Sequence, residues 1–177
     1  MESRAHEYWF IFVTGLAGAM LGGVCDSYTS AISPEYFTVA KGLVRDFDLR
    51  DAVLIGIRAG FGGGALVGLT LVIANEPRWR GPGIGWRSLA KQVIWPLLIA
   101  PGFGVVAGRL GAAEMAIPAG LREIAAIGVS DPPAFRMVWC THLGIYVGAV
   151  LSTFALVAGL RSMSPRPTLL PTASGRR

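Results

Sequence analysis

Residues 52–75 read AVLIGIRAGFGGGALVGLTLVIAN, and Arg58 is the only charged residue in this stretch. A helix needs about 20 mostly apolar residues to cross the hydrocarbon core of a bilayer. Glycines recur at every fourth position of the stretch, a spacing that places them on one face of a helix, at Gly56, Gly60, Gly64 and Gly68. Such a face lets a second helix backbone approach closely. The stretch therefore predicts a membrane-spanning helix that packs through its glycine face.

Three further apolar runs flank this one and contain no charged residue: Tyr8–Cys25, Gln92–Gly108 and Met137–Leu160. Together the runs predict helices at about 8–25, 52–75, 92–110 and 134–160. The chain is 53% hydrophobic and only 15% charged, well below the roughly 25% charge of an average soluble domain. We therefore expect an all-α membrane protein, with one four-helix transmembrane domain over residues 1–162.

The lysines and arginines between the runs predict the orientation. With four spans, the N-terminus, the second loop and the C-terminus share one side, which holds nine basic residues and few acidic ones, against six basic residues mixed with many acidic ones on the other side. Because cytoplasmic loops are enriched in lysine and arginine, both termini are expected in the cytoplasm. The tail over 163–177 is rich in proline, serine and arginine and is expected to be disordered.

The two outer loops are expected to contain short interfacial helices. The first loop follows a predicted end of helix 1 at Cys25-Asp26 and includes Ser33-Pro34-Glu35, a pattern typical of a helix start. It predicts a short helix over residues 34–41, and a second one is predicted over residues 118–127. Asp131-Pro132 is the expected start of helix 4.

Ionisable and polar residues gather at the outer ends of the predicted helices. Such groups are costly at membrane depth and are candidates for function; this polar set is Asp26, Glu35, Arg58, Glu114, His142 and Tyr146. The set could be a structural network, in which Asp26 and Glu35 cap helices. It could instead supply a general acid and base, or a metal site formed by Asp26, Glu35 and His142. No short metal-binding motif is present, so the pattern predicts no metal or other cofactor, and the catalytic residues are not specified.

Arg58 has two alternatives. Its guanidinium could extend outward to the interface, because it lies near the end of its helix. It could instead pair with Asp26 or Glu114.

Two cysteines, Cys25 and Cys140, are expected towards the outer side, where a disulfide can persist. A bridge between them would join helix 1 to helix 4. Cys140 is expected to lie deeper than Cys25, which disfavours the bridge.

Two motifs resemble those of a group of bacterial four-helix membrane proteins with no assigned activity. The first is Asp26-Ser27-Tyr28-Thr29 followed by Pro34-Glu35-Tyr36-Phe37-Thr38-Val39, and the second is His142 with Tyr146 and Gly148. The chain departs from the group at Ser27, Ala40 and Ile145, where the group has Gln, Gly and Ser. The resemblance implies four helices, a bacterial inner membrane, and one constellation of Asp26, Glu35, His142 and Tyr146, but no substrate.

We expect an integral membrane protein whose polar cluster has a structural or partner-binding role. The alternatives are a membrane-embedded enzyme or metal-binding protein that uses Asp26, Glu35, Glu114 and His142, and a subunit of an oligomeric transporter or channel. The expected partners are the lipid bilayer and another membrane subunit or a second copy of the chain. No nucleic-acid partner is expected, because the basic residues lie between apolar runs and no nucleic-acid motif is present.

Overall fold

A computed structural model describes residues 4–44, 46–76, 84–114 and 129–162 of the chain. These residues form four long helices, α1 (Ala5–Ile32), α2 (Leu49–Ala74), α3 (Trp86–Ala112) and α4 (Pro132–Ser162). Each is long and apolar enough to cross a membrane, so the prediction of four such helices is confirmed. The short helix expected over 118–127 and the tail over 163–177 lie outside the described residues.

Helix α1 continues past the end expected for it at Cys25-Asp26 and reaches Ile32. The polar residues of its last two turns satisfy their hydroxyls within the helix. Ser27 Oγ donates to the Val24 carbonyl at 2.8 Å, and Thr29 Oγ1 donates to the Cys25 carbonyl at 2.9 Å. Serine and threonine hydroxyls can donate hydrogen bonds to carbonyls in the preceding turn of a helix. For this reason α1 continues through this polar stretch. Asp26 therefore lies within a helix and not in a loop.

A π-helical turn, Tyr36–Ala40, follows α1. It lies where the sequence predicted a short helix over 34–41. Its longer hydrogen-bonded turn is seen where the Lys41 N–H donates to the Tyr36 carbonyl, five residues back, at 3.2 Å. Gly42 then takes a positive φ of 71°, a conformation that glycine adopts without steric cost. The turn and Gly42 together direct the chain back across the end of the bundle towards α2.

Helices α1 and α2 form a tightly packed pair, called hairpin 1 below. The glycine face of α2 lies directly on α1. A Cβ atom added at Gly56 would collide with the Gly22 carbonyl oxygen, and one added at Gly60 with the Gly18 carbonyl oxygen. The remaining two glycines of the face, Gly64 and Gly68, would both collide with Thr14.

Helices α3 and α4 form a second tight pair, hairpin 2. Gly104 and Gly108 of α3 lie against Thr141 of α4, while Gly144 of α4 lies against the Phe103 carbonyl. Each hairpin is thus closed by small residues, which allow short distances between the two backbones.

The two hairpins meet mainly near the ends of the bundle. At one end, called the Tyr36 end, a cluster of buried apolar residues joins them: Tyr36, Phe37, Ala52, Phe135 and Val138. At the other end, called the terminal end, a second cluster does the same: Phe10, Leu71, Leu89 and Val93. Between these clusters the hairpins contact each other sparsely, and a cavity lies there.

Candidate functional site

A buried carboxylate, Asp26, connects the two hairpins at the Tyr36 end. Its side chain is only 3% exposed. Oδ1 lies 2.7 Å from Nε2 of His142 on α4, and Oδ2 lies 2.5 Å from Nζ of Lys41, just after the π-helical turn. Three separate segments therefore supply one ionic cluster, named the Asp26 cluster here and formed by Asp26, Lys41 and His142.

The hydrogen bonds of His142 determine how many protons the cluster holds. Nδ1 lies 2.9 Å from the Val138 carbonyl oxygen, which can only accept, so Nδ1 carries a hydrogen. Nε2 faces an oxygen of Asp26 at 2.7 Å, and this contact also requires one hydrogen between the two atoms. Whether this hydrogen belongs to the imidazole or to the carboxyl, the histidine–aspartate pair is neutral in sum. With the Lys41 ammonium, the cluster carries a net charge of +1.

Aromatic rings enclose the cluster from the Tyr36 end. The ring of Tyr36 stacks on His142 with centroids 4.8 Å apart, and Phe37 meets the same imidazole edge to face at 6.4 Å. Lys41 Nζ lies 4.8 Å from the Phe37 centroid, within range of a cation–π contact. Burial raises the pKa of the Tyr36 phenol above its usual range, and the nearby Tyr146 and Asp26 add to this, so the phenol stays neutral. The buried rings of Tyr36 and Phe37 therefore cover this side of the cluster.

Glu35 is not part of the Asp26 cluster, contrary to the grouping expected from the sequence. Its carboxylate accepts hydrogen bonds from the backbone N–H groups of Ser130 at 2.7 Å and Asp131 at 3.3 Å. These donors precede α4, whose first two residues are prolines without N–H groups, and Asp131 itself caps the Ala134 N–H at 3.0 Å. The bonds from Ser130 hold the pKa of the Glu35 carboxyl below its ordinary value. Glu35 therefore ties the first loop to the start of α4.

Glu114 also lies apart from the cluster. Its Oε1 accepts a hydrogen bond from Arg136 Nη2 at 2.6 Å, and its side chain is 62% exposed, whereas the Arg136 side chain is only 10% exposed. Glu114 follows the end of α3 with a positive φ of 60°. This backbone conformation directs it to α4 near Arg136 and not towards Asp26.

Arg58 is exposed, and within the described residues it pairs with neither Asp26 nor Glu114. The reason lies in helix geometry. Arg58 follows Gly56 by two residues, which turns it about 200° away from the glycine face that contacts α1. The cation beside Asp26 is Lys41, from the adjacent turn.

Tyr146 lies one helical turn beyond His142 on α4 and is half-exposed. It faces the cavity between the hairpins, which has a volume of about 130 Å³. Asp26, Lys41 and His142 also line this cavity, so the charged cluster occupies part of its wall. The rest of the lining is almost entirely apolar and includes Gly60, Gly63, Val93, Leu97, Ile145 and Ala149.

Both cysteines are free thiols, so the bridge considered from the sequence is absent. Cys140 is buried against Gly111 of α3. Cys25 lies beside the cluster instead, where its Sγ, a carboxylate oxygen of Asp26 and a ring nitrogen of His142 all lie within 4.8 Å of one another. Of the metal-ligand candidates considered from the sequence, Asp26 and His142 lie together, and Cys25 lies beside them where Glu35 was considered.

Sequence reasoning missed Lys41, Tyr36 and Cys25 as members of the site. The Pro-Glu-Tyr-Phe segment includes Tyr36, but as a local pattern it predicts a short helix and no contact with His142. Lys41 follows Tyr36 by five residues, and the π-helical spacing brings the Tyr36 ring to His142 and the Lys41 ammonium to Asp26. No local pattern distinguishes Cys25 from Cys140.

No protein-family model, curated protein or solved structure matches this chain. The resemblance to a group of bacterial four-helix proteins stays a prediction. The functional argument therefore depends on the geometry of the site itself.

Proposed function

We propose that this chain is an integral membrane protein that binds a small anionic amphiphile between its two helix hairpins. Membrane insertion is supported by the distribution of side chains. Large apolar side chains are exposed on every helix, for example Met20, Leu66, Val105 and Phe154, while the polar residues Asp26 and His142 are buried. A soluble protein rarely exposes so large an apolar surface.

The proposed location is a bacterial inner membrane with both termini in the cytoplasm. The terminal end of the bundle then faces the cytoplasm, as its excess of lysine and arginine favours. The Asp26 cluster and the π-helical turn lie towards the opposite face, where the turn is the interfacial element of the first outer loop.

The single observation that supports ligand binding is a net positive charge on the wall of an apolar cavity. The Asp26 cluster carries +1, and the Lys41 side chain is only 14% exposed, so an unbalanced charge there is costly. Within the described residues, no second carboxylate contacts Lys41 or His142. An anionic group bound beside Lys41 would balance the charge.

The apolar remainder of the cavity indicates that the rest of the ligand is a hydrocarbon. An apolar cavity of about 150 Å³ remains dry in other proteins and takes up molecules the size of benzene. At about 130 Å³, this cavity accommodates a short hydrocarbon segment. A carboxylate with a short alkyl chain has both features, so octanoate is a suitable probe.

The test compares three eight-carbon probes on the purified chain in a mild detergent. Thermal unfolding is followed as each is added at sub-millimolar concentration. Octanoate is expected to raise the unfolding temperature saturably, because a ligand that binds only the folded state stabilises it. Octanol is expected to have a smaller effect, and octylammonium none, since it brings a second positive charge to the cluster.

Two neighbouring glycines provide a matched control. A Cβ atom added at Gly62 or Gly63 meets no atom within 4 Å, but of the two only Gly63 lines the cavity. Gly63→Leu is therefore expected to abolish the octanoate effect, while Gly62→Leu keeps it. The proposal is wrong if octanoate and octylammonium act alike, or if Gly63→Leu responds as the unchanged protein does.

A further inference from the structure

Cys25, Asp26 and His142 present three different metal-ligating atoms to the same end of the cavity. A thiol sulfur, a carboxylate oxygen and an imidazole nitrogen lie within 4.8 Å of one another. Cys25 is partly buried, and the other two residues are almost completely buried. Sulfur, nitrogen and oxygen donors in a tetrahedral set with one open position are typical of zinc.

The atoms that do not face the proposed ion are already held by hydrogen bonds. The Nδ1–H group of His142 donates to the Val138 carbonyl at 2.9 Å, which directs the lone pair of Nε2 towards Asp26 when the proton between them leaves. Lys41 holds Oδ2 of Asp26, so Oδ1 is the oxygen left for a metal. Metal-bound histidines and carboxylates are generally oriented by such bonds.

We infer that Cys25, Asp26 and His142 form a zinc-binding site whose fourth position opens into the cavity between the hairpins. Zn²⁺ can bind next to the positively charged Lys41 without adding net charge, because it replaces two protons. One is the proton shared by His142 Nε2 and Asp26 Oδ1, and the other is the thiol proton of Cys25. Two positive charges enter and two leave, so the site keeps its net charge of +1.

Binding needs only small movements. Typical zinc distances are about 2.3 Å to sulfur and about 2.0–2.2 Å to nitrogen and oxygen. Nε2 and Oδ1, now 2.7 Å apart, must separate by roughly 0.7 Å to bind one tetrahedral ion. The Cys25 sulfur, which lies within 4.8 Å of both atoms, must approach them to the roughly 3.5 Å that separates two ligands of one tetrahedral zinc ion.

This inference deepens the proposed ligand site and rests on the same cluster, yet it can fail separately. An anion in the cavity could occupy the open position of the metal. Octanoate binding without metal needs only Lys41 and the cavity, so it is expected to persist in Cys25→Ser. If the unchanged protein binds octanoate but no metal, the zinc site alone is refuted.

The test titrates the reduced full-length protein in detergent with Co²⁺, a spectroscopic substitute for Zn²⁺. One equivalent is expected to produce a thiolate-to-cobalt charge-transfer band, which Zn²⁺ then removes by displacement. Cys25→Ser is expected to abolish the band, while Cys140→Ser keeps it, because Cys140 lies against Gly111 away from the site. Asp26→Asn and His142→Gln are expected to weaken Co²⁺ binding at least tenfold.

A second measurement needs no substitution, so it does not depend on how well the variants fold. The alkylation rate of each cysteine is followed by mass spectrometry with and without Zn²⁺. Zn²⁺ is expected to slow alkylation of Cys25 at least tenfold and to leave Cys140 unchanged. The zinc site is wrong if the unchanged protein shows no charge-transfer band, if the band survives in Cys25→Ser, or if Zn²⁺ leaves the alkylation of Cys25 unaltered.

Discussion

At the scale of single residues, Asp26 depends on the charged and polar groups that contact it. It is a buried carboxylate on α1 whose two oxygens contact two different groups, Lys41 and His142. Breaking a buried ion pair by removing one member usually costs more than the pair contributes, because a charge is left buried without its partner. The aspartate is thus stabilising only as part of the cluster.

Asp26→Asn tests this dependence. The amide cannot neutralise Lys41, so we expect the free energy of unfolding to fall by about 3–5 kcal/mol. Thermal or denaturant unfolding in detergent measures the change. Asp46→Asn is the matched control, because Asp46 is exposed in the first loop. A loss no larger than that of the control would contradict the assigned role.

Glu35 contributes stability in a pH-dependent way. Hydrogen bonds from Ser130 lower the pKa of its carboxyl in the folded protein. A carboxyl with a lowered folded pKa stabilises the fold above its unfolded pKa, about 4.3, and loses this contribution as the pH falls through the folded value. The ionised form is favoured at the start of α4 by the helix dipole.

Glu35→Gln is therefore expected to destabilise the protein at pH 7 by about 1 kcal/mol or less, since the group is partly exposed. The difference between the two proteins is expected to narrow below about pH 4. Unfolding temperatures measured from pH 7 down to pH 3 give the profile. A difference that stays constant over this range would show that the charge of Glu35 has no role.

At the scale of elements, each hairpin depends on the close approach of two backbones. The glycine face of α2 is complementary to Gly18 and Gly22 of α1, whereas Gly62 on the same helix has open space around it. The same residue type thus has two different roles on one helix. Where a glycine faces α1 it is a packing requirement, and elsewhere it only lowers helix propensity.

Gly60→Ala and Gly62→Ala separate these roles with the same chemical change. Alanine at Gly60 would collide with the backbone of Gly18, and overpacking of this kind costs about 1–3 kcal/mol. Alanine at Gly62 meets no neighbour and is expected to be neutral or stabilising by up to about 1 kcal/mol. Unfolding of both variants in detergent checks the prediction, which is contradicted if the two shift stability equally.

The π-helical turn is the second element that positions the site. It places Tyr36 on the face of His142 and Lys41 on Asp26, although the two residues are five positions apart. In an ordinary α-helix, residues five apart point in different directions. π-Helical turns are often found at functional positions, and here the turn brings an aromatic ring and a cation to one cluster.

At the scale of the whole molecule, two closely packed hairpins are joined by few contacts. The Asp26–His142 contact and the Glu35–Ser130 bond connect them at the Tyr36 end, and apolar side chains connect them at the terminal end. Small residues close each hairpin internally, whereas among the described residues no comparable small-residue face joins the two hairpins, which leaves space for the cavity. The Asp26 cluster is therefore both a link between hairpins and a wall of the cavity.

The orientation of the molecule can be tested with phosphatase fusions, which are active only outside the cytoplasm. Both termini are proposed to be cytoplasmic. A fusion after residue 44 is expected to be active, and fusions after residue 76 or at the C-terminus inactive, because the basic loops remain inside. An active C-terminal fusion would reverse the assigned orientation.

The sequence alone determined the number of long helices, because that property is local. An uninterrupted apolar run encodes a helix of membrane-spanning length. Asp26 and His142 were also recognisable as candidates, since ionisable residues are unusual within such runs or directly at their ends. These conclusions needed no knowledge of which helices are neighbours.

Only the tertiary structure decided which candidates meet. Asp26 and His142 are 116 positions apart, and their contact depends on the rotation of two helices about their axes. Each residue turns a helix by about 100°, so an uncertainty of one or two residues moves a side chain to another face. The sequence therefore did not reveal that Arg58 faces away from Asp26, or that Glu35 and Glu114 contact residues near the start of α4. Nor did it reveal that Lys41 and Cys25 lie beside Asp26.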